Sequence, residues 1–386
     1  MPRKRSGNGE AKAGTALRYH RIVAKLGTNV LTAGTDRLNV GKISALAQQV
    51  AALHKGGADV LVVTSGAIAA GRHRLGMRTD RKDIPFRQVL AAVGQSDLMQ
   101  VYQEAFARHG ITVAQTLLTR GDLADRQGYL NARNTLLAML ELRVLPVINE
   151  NDVVAIDEIE GAKIGDNDNL SALVANLVDA DLLVLLTDTG GLYTADPRLH
   201  PEAELIHRVE RIDARIEALA GGSAPGPGVG GMATKLQAAR LATAGGTDMV
   251  IAAGEEPDVL VRLAHGEEVG TWFPAAIDRM ESRKRWMLTG LSVKGSIVVD
   301  SGAARVLRED KRSLLPAGVQ AVQGSFQRGE AVWVVDDEGK RIACGIANYG
   351  SDEVERIRGL RSDRIEGVLG HYYGGEVLHR NNLVLL

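Results

Sequence analysis

Several things that would name a function class at once are scarce in this sequence. It has one cysteine, Cys344, in 386 residues, so it can close no internal disulfide, and a reducing compartment is the expected setting. It has almost no net charge. With 46 basic and 47 acidic residues the formal value is −1, which argues against nucleic acid or an anionic membrane as principal partner. No apolar run approaches the length that spans a bilayer, so no membrane partner is expected. The opening MPRKRSGNGEAKAG is basic and polar and lacks the apolar stretch of a secretory signal. Residues 1–19 are read as a disordered basic tail and the protein as cytoplasmic. Aromatics make up only 4%, so the cores must be built from Ala, Val, Leu and Ile. Familiar catalytic devices are missing too: there is no H-E-x-x-H, no paired-cysteine metal site, no G-x-S-x-G elbow and no G-x-x-x-x-G-K-[ST] loop.

What is present is the profile of a globular chain long enough for two domains, with 45% apolar and 24% charged residues. From about residue 20, short apolar runs alternate with amphipathic segments. The runs at 21–26, 60–63, 111–118, 144–148, 182–186 and 249–252 read as strands. Ile43, Leu46, Val50 and Leu53 recur at helical spacing between the first two. Continuous apolar strands separated by helices imply an α/β fold with a mostly parallel sheet covered on both faces. Ligands in such folds sit at the carboxyl ends of the strands. Beyond about residue 275 the texture changes to β-type runs at 296–299, 331–335 and 341–343, with Asp337-Glu338-Gly339 as a hairpin turn. This is a second, small, β-rich domain.

Four strand ends carry polar clusters. In Lys25-Leu26-Gly27-Thr28-Asn29 a lysine sits inside an apolar strand. It either snorkels off an edge strand or meets an anion, because a buried ammonium without a counter-charge costs several kcal/mol. Thr64-Ser65-Gly66-Ala67 either supplies an ordinary helix cap or aims helix-start amides at an anion. The third cluster joins Asn149-Glu150-Asn151-Asp152 to Gly165-Asp166-Asn167-Asp168-Asn169, ahead of a helix at 170–178. Adjacent carboxylates repel unless a cation organises them. A lysine or Mg²⁺ shared with phosphates would do so, whereas the spacing does not fit an EF-hand. The fourth is Thr187-Asp188 with the glycine-rich stretch from Gly226 to Lys235. Gly226, Gly228 and Gly231 formally match G-x-G-x-x-G but follow a helix, so the dinucleotide context fails. The stretch reads either as a plain surface loop or as a flexible one that wraps phosphates and delivers Lys235 ahead of a helix at 236–244.

Taken in order, Lys25-Leu26-Gly27-Thr28, Val63-Thr64-Ser65-Gly66-Ala67, Asn149-Glu150-Asn151-Asp152, Gly165-Asp166-Asn167-Asp168-Asn169-Leu170-Ser171-Ala172, Leu186-Thr187-Asp188 and Gly230-Gly231-Met232-Ala233-Thr234-Lys235 resemble the amino-acid kinase family, in its glutamate 5-kinase branch. The C-terminal part resembles the PUA module. The resemblance implies a three-layer amino-acid kinase fold at 20–275, a linker at 276–290 and a PUA-like domain with the C-terminal tail at 291–386. It implies ATP and L-glutamate as substrates, Mg²⁺, feedback inhibition by proline, and a homo-oligomer (dimer or tetramer). Carried over by position, Lys25 and Lys235 would contact the phosphates; Asp168 is expected to complete the catalytic set by orienting the lysines or the metal. Ser65, Asp152 and Asn167 would hold glutamate. Lys25, Thr187, Asp188, Val229, Gly230, Gly231, Met232, Ala233, Thr234 and Lys235 would line the ATP site. Ala233 stands where serine is common in the family, and Glu160-Gly161-Ala162 reads as a short insertion.

A glutamate side-chain carboxylate has an ordinary pKa of about 4.3 and is already ionised at neutral pH, so no general base is required. The barrier is the approach of two anions, which cations and positioning lower. Rival readings are another amino-acid kinase, acting on aspartate, N-acetylglutamate or carbamate, and an RNA-binding protein built around the C-terminal module. Residues 291–386 hold thirteen basic and thirteen acidic residues. RNA-binding surfaces are distinctly basic, so a regulatory or assembly role is the preferred expectation for this domain.

Overall fold

A computed structural model of the chain describes residues 16–77, 83–155, 167–220, 229–276, 293–310 and 312–386. Its larger sheet has seven strands: β1 (Arg21–Leu26), β2 (Asp59–Thr64), β3 (Val113–Leu118), β4 (Leu145–Glu150), β5 (Leu182–Thr187), β6 (Asp248–Ala253) and β7 (Thr271–Phe273). They lie in the order β3-β4-β2-β1-β5-β6-β7. Every pairing is parallel except β6 with β7. β1 is the central strand, flanked by β2 and β5, and the order reverses there. That reversal opens a crevice at the strands' carboxyl ends.

The helices of this part are α1 (Thr28–Thr32), α2 (Val40–Lys55), α3 (Ala67–Arg74), α4 (Ile84–Ala107), α5 (Arg120–Ala124), α6 (Arg126–Glu141), α7 (Asp168–Leu177), α8 (Ala214–Leu219), α9 (Val229–Ala244) and α10 (Val259–Ala264). Strand side chains alternate between faces, and the two cores follow that alternation. Ile22, Ala24 and Leu26 of β1 join Val60, Val62, Leu182 and Val184 under Leu46 and Val50 of α2, Leu98 and Tyr102 of α4, and Leu260 of α10. Val23 joins Leu61, Val63, Leu183, Leu185 and Ile251 under Leu136 of α6, Leu170 and Val174 of α7, and Leu236 and Ala239 of α9. The same two-residue period puts Lys25 on the face of Val23, toward α7 and α9. Backbone contact locks α3 to α4. A Cβ on Gly71 would lie 1.9 Å from the Leu90 carbonyl oxygen, and one on Gly94 1.8 Å from that of Ala67.

The second sheet has five strands, β8 (Gly295–Val299), β9 (Val319–Gly324), β10 (Ala331–Val335), β11 (Arg341–Ile346) and β12 (Leu383–Leu385), in the order β12-β11-β10-β8-β9. The expected hairpin at 337–339 joins antiparallel β10 and β11, and Gly339 there takes φ +80°. The β-rich reading omitted helices at Ser301–Glu309 and Ser351–Ile357, which bury Leu307, Val354 and Ile357 in this domain's own core. Residues 1–15 of the expected tail, 277–290 of the expected linker, Glu160-Gly161-Ala162, Gly165 and Asp166 lie outside the described residues. Among the described residues no helix is long and apolar enough to cross a membrane.

Candidate active site

The lysine in β1 does not snorkel. It lies in the central strand, paired in register with Val63 and Leu185, and is 2% exposed. Its counter-charge comes from α7. Lys25 Nζ is 2.7 Å from Oδ1 of Asp168, which is fully buried. The other carboxylate oxygen, Oδ2, is 3.1 Å from Lys235 Nζ of α9 and 3.0 Å from the Thr234 hydroxyl. One carboxylate thus holds two ammonium groups drawn from elements far apart in sequence. Burial pushes the Asp168 pKa up, but the charges of Lys25 and Lys235 outweigh it, and the group sits below its ordinary value.

The glycine-rich stretch differs from the loop expected of it. Residues 221–228 lie outside the described residues, and α9 begins at Val229, seven residues before the predicted start. Gly230 and Gly231 therefore stand in its first turn, where the backbone N–H groups have no intrahelical acceptor. Lys235 reaches back one turn, with Nζ 3.1 Å from the Gly231 carbonyl oxygen, and the Thr234 hydroxyl lies 2.9 Å from the same atom. Glycine is a poor helix former by about 1 kcal/mol relative to alanine, which is why composition alone reads this segment as loop.

At the end of β2, Gly66 is the N-cap of α3 with φ +98° and makes no side-chain cap bond. Ser65 is not capping a helix. Its hydroxyl oxygen lies 3.2 Å from Asn167 Nδ2, which also donates to the Thr64 carbonyl and, at 2.8 Å, to Asn149 Oδ1. Asn149 in turn donates to Gln95 of α4 at 2.8 Å. At the end of β5, the Thr187 hydroxyl donates to Asp188 at 2.9 Å and Asn29 donates to the same carboxylate at 3.1 Å. Partial burial pushes Asp188 up, yet these bonds carry its pKa to a net lower value.

These groups surround one cleft of about 1330 Å³ at the carboxyl ends of β1, β2, β4 and β5. Its lining includes Lys25, Ser65, Asn149, Asp152 and Asn167, and Thr187, Asp188, Gly231, Met232, Thr234 and Lys235. The volume exceeds the roughly 1,000 Å³ typical of a single small ligand and suits two substrates side by side. Asp168 lies beneath the floor. Val229 and Gly230 open α9, and Ala233 follows one turn on. The cleft also takes in Asp36, Arg72, Arg87, Tyr193 and Arg198, which carry no sequence signature because each is an isolated polar residue on a helix or connecting segment. No group of three or more His, Cys, Asp or Glu side chains among the described residues is placed to hold a metal. Both Asp168 oxygens are already engaged by ammonium groups.

The amino acid kinase family model matches residues 20–253 and the PUA domain model residues 295–369. A glutamate 5-kinase of Dehalococcoides mccartyi (strain CBDB1) is 55% identical over 368 residues, spanning 95% of this chain and 99% of the relative. One from Herpetosiphon aurantiacus is 54% identical over 366 residues, spanning 95% and 98%. Among solved structures, the chain is similar to the T. acidophilum isopentenyl phosphate kinase product complex, at 15% identity and TM-score 0.45, over 65% of this chain and 99% of that one. The chain belongs to the amino acid kinase family and, within it, to the glutamate 5-kinases. It is an enzyme, a kinase with a C-terminal PUA domain.

Proposed function

We propose that this chain transfers the terminal phosphoryl group of ATP to the side-chain carboxylate of L-glutamate, giving ADP and L-glutamyl 5-phosphate, the first step of proline biosynthesis. The observation that carries the reading is the pairing of Lys25 and Lys235 on Asp168 beside a large polar cleft that both lysines line. A glutamate carboxylate oxygen attacks the γ-phosphorus, the bond from that phosphorus to the β,γ-bridging oxygen breaks, and ADP keeps the electron pair. No proton moves. The nucleophile arrives ionised, so the chain's task is to bring two anions together. Lys25 and Lys235 place positive charge on the transferred oxygens, and Asp168 keeps both ammonium groups aimed without abstracting a proton.

Ser65 and Asn167 are assigned to glutamate, and Asp152 to its α-ammonium. Thr187, Asp188 and the helix start at 229–235 are assigned to the nucleotide, whose phosphates would meet orphan amides at a helix N-terminus. Mg²⁺ commonly keeps water and substrate phosphates as ligands, so we assign it to the triphosphate, where it would offset charge. Residues 20–275 would carry both substrates, and the domain at 291–386 would serve regulation or assembly.

The test is a substrate panel with ATP. Acyl phosphate trapped with hydroxylamine is expected with L-glutamate and not with aspartate, N-acetylglutamate or carbamate, and proline is expected to inhibit. Turnover on another acceptor in preference to glutamate would overturn the assignment.

A further inference from the structure

A second buried charge lies at the opposite end of α7. Arg133 of α6 is 2% exposed, and its guanidinium serves three elements. Nη1 donates to the Leu177 carbonyl, which closes α7. Nη2 lies 2.6 Å from Oδ2 of Asp179, just beyond the helix. Nε donates at 2.7 Å to Oδ1 of Asn382, which belongs to the second domain and is 1% exposed. The surroundings make this a built interface. Asn382 Nδ2 is 3.4 Å from Asn134 Oδ1, Arg328 donates to Asn131 at 2.6 Å, and Leu130 of α6 is buried among Ala331, Cys344, Ile346 and Val384 of the second sheet.

α7 is therefore held at both ends by complementary charge. Asp168 stands in its first turn with two ammonium groups, and guanidinium groups bind carbonyls at its last, where the helix dipole favours cations. Arg21 supplies the second of these, at 2.7 Å from the Val178 carbonyl oxygen. Ten residues make a rod of about 15 Å, too short to bend appreciably, so a shift at one end reaches the other. We propose that Arg133 is a positioning residue for the transfer site and that the C-terminal domain, through Asn382, fixes its fork and hence the placement of Asp168. Without the Asn382 acceptor the Nε–H of a dry, planar guanidinium loses its 2.7 Å bond, and the fork is no longer fixed in the orientation that serves the Leu177 carbonyl. A displacement of about 1 Å at a catalytic constellation can cost on the order of 10²-fold; a partial loosening costs less.

The kinetic part rests on the phosphotransfer reading, so wild-type glutamate turnover is measured first. Asn382→Leu is expected to lower kcat about five- to tenfold with both KM values within twofold. Hydrogen exchange, which needs no activity, is expected to quicken at amides of α7 and not at those of β5. Asn382→Asp, which keeps an acceptor oxygen, is expected to restore kcat to within twofold. Unchanged exchange in α7, an unchanged kcat, or an aspartate variant as impaired as the leucine one would each overturn the proposal. If the wild type fails to turn over glutamate while exchange responds as stated, the functional reading falls and the mechanical link stands.

Discussion

Lys25 Nζ lies 2.7 Å from Asp168 Oδ1 at the carboxyl end of the central strand, with side-chain exposures of 2% and 0%. A pair so enclosed gains little stability over an apolar pair of the same shape, since desolvating both charges offsets their attraction. Under the proposed function the pair would keep a cation at the strand end where an anion is received.

Removing either partner should therefore harm catalysis more than substrate binding. Lys25→Met, which keeps the side-chain volume, is expected to lower kcat by about 10²- to 10³-fold, the range for losing one preorganised charge donor. Asp168→Asn is expected to lower kcat comparably. It should also destabilise the protein by about 3 kcal/mol, because two buried ammonium groups lose their counter-charge. Steady-state kinetics and denaturant unfolding followed by circular dichroism check both; a near-normal kcat for Lys25→Met would remove it from the mechanism.

The acid response of stability follows from the lowered pKa of Asp168. The unfolded chain binds this proton more readily than the folded one, so the ion pair's contribution is full above the ordinary value of 3.8 and is lost as pH falls through the lower folded value. The stability gap between wild type and Asp168→Asn should be constant from about pH 8 to 5 and shrink below about pH 4. Unfolding midpoints at a series of pH values measure it, and a gap that closes near neutrality would contradict the assignment.

The two substrate assignments should separate in kinetics. Asp152→Asn is expected to raise the glutamate KM by roughly tenfold or more, about the worth of one charged contact of 1.4 kcal/mol or above, with the ATP KM within twofold. An unchanged glutamate KM would show that Asp152 does not contact the substrate.

Cys344 offers a check on packing that is independent of catalysis. It is fully buried against Leu130, and burial pushes its thiol up to about 11. The thiolate is the reactive form, so the native protein should not react with a thiol-specific disulfide reagent, whereas the guanidinium-unfolded chain should titrate one thiol. Fast reaction in the native state would mean that the contact between α6 and the second sheet opens.

Much of this was legible in the sequence, and the rest was hidden for identifiable reasons. A lysine within an apolar run announced Lys25 as an anomaly. That β1 is central and not an edge strand depends on long-range pairing with β2 and β5, which local pattern does not encode. Gly230 and Gly231 read as loop because composition dominates a short window. The structure instead starts a helix there, and its second turn is pinned through Thr234 and Lys235 to Asp168. The helix at Ser301–Glu309 was concealed by the short β-type runs around it, although Asp300 caps it. Arg72 and Arg87 line the cleft from α3 and α4, which pack closely at Gly71 and Gly94, a tertiary contact that local pattern does not encode. The node of Arg133 and Asn382 joins residues 249 apart in sequence.

The central claim is that phosphoryl transfer here needs placed cations and no general base. Its most direct test is the solvent deuterium isotope effect on a single turnover with saturating ATP and glutamate. With no proton in flight, the effect on the transfer step is expected to be about 1, with a rate that stays flat between about pH 6 and 8. An effect of about 2 or more, with a rate that climbs along a single ionisation in that range, would contradict the account and require a base at the acceptor.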